Sequence, residues 1–253
     1  MRLTVVGCSG SYPGPESPAS CYLVEAEDGE RTWRVLLDLG SGALGRLHEV
    51  VDPLTIDAVF ISHLHPDHFF DMSGFYVLRK YHPSGPQPRI PVYGPTGTAA
   101  RLAEAYGLSK KPGMTEEFEF HEYDEQRTVT VGPLTLEMVT VAHPVESWAF
   151  RVSQGDRSFV YSGDTGPCDA LVELAKGTDL LLAEAAFREG EDNPENLHMT
   201  GKEAAETALR AGVAKLVLTH IPPWYDRNTA LDEARPVFDG PTELAYCGVT
   251  YDL

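Results

Sequence analysis

An α/β sandwich, two mixed β-sheets packed face to face and flanked by helices, is the fold class this chain predicts. Three observations point to it. Each half runs from a β-rich stretch into alternating helices and strands, an order that places helices outside sheets. Short apolar runs bounded by polar or turn residues, such as Ala58 to Ile61, read as buried strands. No connector is long enough to separate independent units, so residues 1–253 read as a single domain, although the length alone admits one or two.

In chain order, Arg2 to Val6 reads as the first strand. It ends in Gly7-Cys8-Ser9-Gly10-Ser11-Tyr12-Pro13-Gly14-Pro15, a glycine-rich loop that is neither a P-loop nor a dinucleotide-binding turn. Cys21 to Ala26 and Trp33 to Asp38 pair around the turn Glu27-Asp28-Gly29-Glu30. Asp38-Leu39-Gly40-Ser41-Gly42 closes that unit, and a short helix runs to about Val50. The Ala58 strand leads into a histidine-rich loop, then a helix from Asp71 to Tyr81. Pro83 to Pro88 is a proline-rich connector, Ile90 to Tyr93 a strand, Thr96 to Tyr106 a helix, and 108–117 a loop. From Phe118 to Val160 the pattern is β-rich, with strands at Val129 to Val131, Leu134 to Val141, Trp148 to Val152 and Ser158 to Tyr161. The remainder alternates: helix Cys168 to Lys176, strand Asp179 to Ala183, helix Thr200 to Ala211, strand Lys215 to Leu218, a helix after Asn228, and strands near Leu244 and Val249.

Composition narrows the function classes. Apolar content of 42% with 23% charged residues is ordinary for a globular chain without a membrane partner, and no run approaches the ~18 apolar residues of a membrane span. Met1 to Gly7 enters a strand pattern with no signal-peptide layout, which points to the cytoplasm. The four scattered cysteines form no C-x-x-C and read as buried thiols. A net charge of −18 argues against a long nucleic acid as partner, since gripping one takes a basic face.

The chemistry concentrates in Ser62-His63-Leu64-His65-Pro66-Asp67-His68. Four potential ligands within six residues at a strand end cannot all face one cation, and their spacing suits two. Nitrogen-rich ligation with few carboxylates favours zinc, with manganese or another divalent cation as alternatives. The remaining corners come from His143, Asp164 and His220, each just after an apolar strand. The resulting assignment puts His63, His65, His143 and Asp164 on one ion and Asp67, His68, His220 and Asp164 on the other. Ser62, Ser162 and Thr219 flank ligands and could steady them. His48, His82 and His121 have no motif company and read as solvated.

H-x-H-x-D-H followed by single His, Asp and His at strand ends resembles the metallo-β-lactamase superfamily over nearly the whole chain, which implies that family's αββα fold with metals at one rim. Asp179-Leu180-Leu181-Leu182-Ala183-Glu184-Ala185-Ala186-Phe187, Leu197-His198-Met199-Thr200 and Leu218-Thr219-His220 resemble the tRNase Z-like branch. That likeness implies a proton-delivering pair, Glu184 and His198; Asp67, as a ligand carboxylate, can also orient the nucleophile. No insertion resembles the basic arm with which many tRNase Z enzymes hold tRNA. The short chain, the opening glycine loop, His143 to Ser147 and Thr219 to Trp224 look more like compact bacterial cyclic-nucleotide phosphodiesterases. The expectation is a phosphodiesterase with a small nucleotide substrate, against which stand tRNA 3′-processing, an arylsulfatase-like activity and a non-enzymatic module on a dead scaffold. Trp224 and Tyr225 are candidates to stack on a base. The family likeness also implies a homodimer, with which Phe69, Phe70, Phe75 and Tyr76 are compatible, as they are with a core position.

Overall fold

The computed structural model describes residues 1–123 and 127–253. Strands β1 (Arg2–Gly7), β2 (Cys21–Glu27), β3 (Thr32–Leu37), β4 (Ala58–Phe60), β5 (Ile90–Gly94) and β6 (Phe118–Glu122) lie side by side in one sheet. Strands β7 (Thr128–Val131), β8 (Leu134–Thr140), β9 (Trp148–Gln154), β10 (Arg157–Tyr161), β11 (Leu180–Glu184), β12 (Leu216–Thr219) and β13 (Thr242–Leu244) form the second, and β14 (Thr250–Asp252) returns to the first against β1. Both sheets are mixed. In the first, β3 to β6 are parallel and the pairs β14–β1, β1–β2 and β2–β3 antiparallel; in the second, β7 to β10 pair antiparallel and β10 to β13 parallel. The predicted sandwich is the observed one.

Strand alternation builds three apolar layers. Along β2, Tyr22 and Val24 point into the core between the sheets, where they meet Phe60, Trp148, Phe150 and Tyr161, whereas Cys21 and Leu23 face the outer helices. Each such side chain, taken fully out of water, contributes roughly 1.5–3 kcal/mol. Helices α1 (Ala43–Leu47), α2 (Pro66–Phe69), α3 (Met72–Tyr81) and α4 (Thr98–Tyr106) cover the first sheet; α5 (Asp169–Ala175), α6 (Gly201–Ala211) and α7 (Arg227–Ala234) cover the second. The start of α6 is fixed by a capping box, in which Thr200 accepts from the Glu203 amide and Glu203 reaches back to the Thr200 amide. No helix among the described residues is long and apolar enough to cross a membrane.

Three expectations change and one open alternative is decided. The histidine loop contains a one-turn helix, α2, because Pro66 at its first position presets a helical φ while His65 stays extended. Phe69, Phe75 and Tyr76 are core: Met72, Phe75, Tyr76 and Arg79 follow the spacing of one helical face and turn it to the sheet, leaving only Phe70 of the four aromatics exposed. The homodimer expectation therefore loses most of its apolar face. Cys8 and Cys21 are buried, but Cys168 and Cys247 are only half-buried, since both stand beyond strand ends. His48 is exposed as expected, but His82 and His121 are half-buried: His82 bonds Ser84 and His121 stacks on Tyr93, ring centroids 4.9 Å apart.

Candidate metal centre

The strands β3, β4, β8, β10, β11 and β12 run so that their carboxyl ends open on one rim, and the residue groups singled out in the sequence lie just past those ends. His63 follows β4, and α2 then presents Asp67 and His68 inward. His143 follows β8, Asp164 follows β10, and His220 follows β12. The turn that delivers Asp164 needs glycine at 163: its φ is +58°, and a Cβ there would stand 2.6 Å from the Trp148 carbonyl oxygen. His220 takes φ +57° without being glycine, a conformation that costs on the order of 1–3 kcal/mol and persists only where the surroundings dictate it. Its amide donates to the Cys8 carbonyl, and Gly10 lies so close that a Cβ would meet the His220 carbonyl at 2.1 Å. The opening glycine loop thus braces a site residue.

All seven proposed ligands converge. His65 Nδ1 lies 3.0 Å from His63 Nε2 and 3.3 Å from His143 Nε2, and Asp164 Oδ2 is 3.6 Å from His63 Nε2. On the other side, His220 Nε2 is 3.2 Å from His68 Nε2 and 3.1 Å from Asp67 Oδ2. Asp164 reaches His68 Nε2 with Oδ1 at 3.3 Å and His220 Nε2 with Oδ2 at 3.4 Å. Tetrahedral ligation with bonds of ~2.0–2.1 Å puts ligand atoms about 3.4 Å apart, so His63, His65 and His143 form one group of cage dimensions and Asp67, His68, Asp164 and His220 another, with Asp164 reaching the first group at His63. His65 Nδ1 faces two ring nitrogens at once, an arrangement that a shared cation would also suit. Asp164 Oδ1 is buried and accepts no hydrogen bond from the described residues, which a cation would remedy. The donor set fits two divalent ions.

Protonation differs between the two groups in the ion-free chain. Burial pushes His63, His65 and His143 below the usual imidazole range, leaving their lone pairs free at neutral pH. Burial also pulls His68 down, but Asp164, Asp67 and Asp38 outweigh it and hold it well above that range. Asp67 and Asp164, despite burial, are kept far below the ordinary carboxylate value by the imidazoles around them.

The outer partners include one residue that sequence reading missed. Asp38, fully buried just past β3, accepts from His68 Nδ1 at 2.7 Å, the Ser62 amide at 2.7 Å, the Ser62 hydroxyl at 2.8 Å and the Tyr161 hydroxyl at 2.8 Å. It fixes the His68 tautomer so that Nε2 faces the cage. The signal was a carboxylate directly after an apolar strand, the same placement as Asp164, which reads equally well as a turn residue. Ser62 does contact one of the proposed ligands, its hydroxyl lying 3.1 Å from His63 Nδ1. Thr219 instead bonds Tyr22, and Ser162 accepts from the Glu184 amide. Asp38→Asn, which cannot accept four bonds, should weaken binding of the second ion about 10- to 100-fold, read by chelator competition; unchanged affinity would leave Asp38 a purely structural residue.

Beside the cages stand Glu184 and His198. Glu184 is fully buried; its Oε1 accepts from His198 Nδ1 at 2.9 Å and from the Thr165 amide, and its Oε2 from the Ala186 amide. Burial lowers the His198 pKa, but Glu184 and then Asp164 overcome this and push it up to about 9. His198 Nδ1 is 3.9 Å from Asp164 Oδ2, and Phe187 meets its ring edge-on at 5.0 Å. Trp224 is 57% exposed and leans on Tyr12, centroids 5.3 Å apart. Tyr225 does not share that freedom: Arg188 lies 3.8 Å over its ring and its hydroxyl donates to Glu191.

The sequence pattern of the Beta-lactamase superfamily domain matches residues 33–221. The uncharacterized protein Rv1339 of Mycobacterium tuberculosis is 43% identical over all of this chain and 92% of its own length. The probable metallo-hydrolase YhfI of Bacillus subtilis is 29% identical with both chains fully covered, and its crystal structure superposes with a TM-score of 0.86 at 27% identity, over 99% of this chain and 98% of that one. Ribonuclease Z of Myxococcus xanthus is 29% identical over all of this chain and 98% of its own. With the family pattern spanning the strands that build the rim, this chain belongs to the beta-lactamase superfamily, as a metallo-hydrolase related to ribonuclease Z.

Proposed function

We propose that the chain is a dinuclear zinc phosphodiesterase whose substrate is a small phosphodiester, a 3′,5′- or 2′,3′-cyclic nucleotide. The observation that carries this reading is the juxtaposition of two ligand cages joined at Asp164 with a carboxylate-held histidine, His198, 3.9 Å from that same Asp. Five imidazoles and two carboxylates make a nitrogen-rich set, the preference of zinc over magnesium or calcium. Bound divalent cations supply Lewis-acid charge against the phosphoryl oxygens and a water of lowered pKa. Asp67 accepts a hydrogen bond from the attacking water and aims it. The leaving alkoxide is strongly basic; His198, protonated and held by Glu184 through Nδ1, gives it the Nε2 proton.

Size and charge favour a small substrate. The alignment with ribonuclease Z runs to 307 positions against 253 residues here, so that enzyme has segments without a counterpart in this chain, whereas the YhfI alignment needs only 255. The loop between Phe187 and His198, whose Leu197 carbonyl accepts from His143, bears Glu189, Glu191, Asp192 and Glu195 against Arg188. Such a rim repels a polyanion more than a single phosphodiester. All four cysteines are free, in keeping with work in the reducing cytoplasm.

The exposed Trp224, propped by Tyr12, is the surface we assign to the nucleobase. Stacking worth about 1–3 kcal/mol predicts that Trp224→Ala raises KM for a cyclic nucleotide about 5- to 150-fold with little change in kcat. An unchanged KM would move the base elsewhere. The reading as a whole is tested by assaying one zinc-loaded preparation against 2′,3′- and 3′,5′-cyclic nucleotides, bis(p-nitrophenyl) phosphate, an aryl sulfate and a tRNA precursor. Cleavage of the cyclic nucleotides is expected; cleavage of the precursor or the sulfate alone overturns the substrate assignment.

A further inference from the structure

A cavity of about 570 Å³ opens at the starting ends of β3, β4 and β5, opposite the rim that bears the metal cages. Four arginines, Arg31, Arg34, Arg79 and Arg89, line it, in a chain with only 20 basic residues and a net charge of −18. The single carboxylate in its wall, Asp57, is engaged by Arg31 and by the Arg34 amide, and the Arg34 side chain is held by Glu25 at 3.0 Å. Arg79 and Arg89 have no carboxylate within salt-bridge distance among the described residues.

Arg79 is the anomaly. It is only 2% exposed, sits in the last turn of α3, and spends one nitrogen, Nη2, on the Pro88 carbonyl. Its Nε and Nη1 are buried without a partner among the described residues. Burial alone displaces its pKa, downward, with no acid nearby to offset it. A buried guanidinium left with two unsatisfied donors is among the costlier arrangements a fold can hold, and a neutral donor would suffice for the Pro88 carbonyl. An oxyanion would give Nη1 a charged acceptor on the edge it shares with Nη2, the kind of paired edge that phosphate oxygens match, while Nε lies on the other edge. Leu54, Ile56, Ile90 and Pro91 supply an apolar wall beside the arginines, and the volume is that of a small-molecule site.

From this we infer a second ligand site, remote from the metal centre, that binds a small organic phosphate, its phosphate on Arg79 and Arg89 and its body against the Leu54–Ile90 wall. The test uses the full-length zinc-loaded protein, with inorganic phosphate and AMP as probes at constant ionic strength, followed by calorimetry. The wild type should show a saturable event in addition to any at the metal rim. That event should weaken about tenfold or more in Arg79→Met and in Arg89→Ala, while hydrolysis of bis(p-nitrophenyl) phosphate stays the same, since neither residue touches the cages. Arg89 is exposed, so Arg89→Ala keeps the test intact if Arg79→Met fails to fold. AMP binding more tightly than phosphate supports the organic phosphate; equal affinities restrict the site to the bare anion and overturn that part. No second event with either probe, or equal affinity in wild type and both variants, overturns the site altogether.

Discussion

Asp164→Ala is expected to strip the chain of both cations and to lower phosphodiester turnover about a thousandfold or more. The carboxylate is the one side chain assigned to both cages: Oδ2 stands 3.6 Å from His63 Nε2 and 3.4 Å from His220 Nε2, and Oδ1 3.3 Å from His68 Nε2. Its removal therefore opens both at once and withdraws the negative charge that lets two dications sit side by side. Several kcal/mol of transition-state stabilisation come from such ions, and about 4 kcal/mol already corresponds to a thousandfold. Asp67→Ala is the informative contrast, since Asp67 belongs to one cage only; it should keep one ion where Asp164→Ala keeps none firmly. Elemental analysis after passage over a chelating resin reads the difference. Two tightly held ions in Asp164→Ala, with the fold intact by circular dichroism, would show that the aspartate does not link the cages.

The parts of this site that were legible in the sequence share one property: a cation demands particular atoms, and few residue types supply them. His63, His65, Asp67 and His68 are crowded into one loop, and His143, Asp164 and His220 each stand directly after an apolar strand, so residue type and placement together single them out. Asp38 meets the placement test too, but its task is to accept hydrogen bonds from Ser62, His68 and Tyr161, residues 24, 30 and 123 positions away. Only the packed sheets bring those donors to it. The same holds for faces. Along α3 the spacing of Met72, Phe75 and Tyr76 marks an apolar stripe without saying whether a sheet of the same chain or a second copy covers it, and the sheet does. The single turn of α2 is shorter than any window in which a helical period can register. At the far end of α3, the plight of Arg79 depends on which neighbours are absent, something a linear chain does not display.

His198→Ala should separate substrates by their leaving groups. A cyclic nucleotide expels an alkoxide that must be protonated as the bond breaks, and loss of a positioned general acid costs about 10²- to 10⁴-fold. p-Nitrophenolate departs without that help, so bis(p-nitrophenyl) phosphate should lose far less. A merely structural histidine would lower both rates together, and equal losses would remove His198 from the chemistry. The pH profile gives a second reading of the same group. Donation needs the imidazolium, which exists below the His198 pKa and vanishes as pH rises through it. In the ion-free chain that pKa is pushed up to about 9, with Glu184 and Asp164 overcoming the downward pull of burial. A dication on Asp164 cancels part of the upward pull, so the alkaline limb for the cyclic nucleotide should fall at or below about 9. Glu184→Gln retains a hydrogen-bond acceptor for Nδ1 but no charge, and an opposite charge at such range is worth about one unit or more. The limb should then move to lower pH by that amount in Glu184→Gln and be missing in His198→Ala, whereas with the nitrophenyl ester it should be weak in all three proteins. A limb that stays in place when Glu184 loses its charge would mean that some other group on the rim delivers the proton.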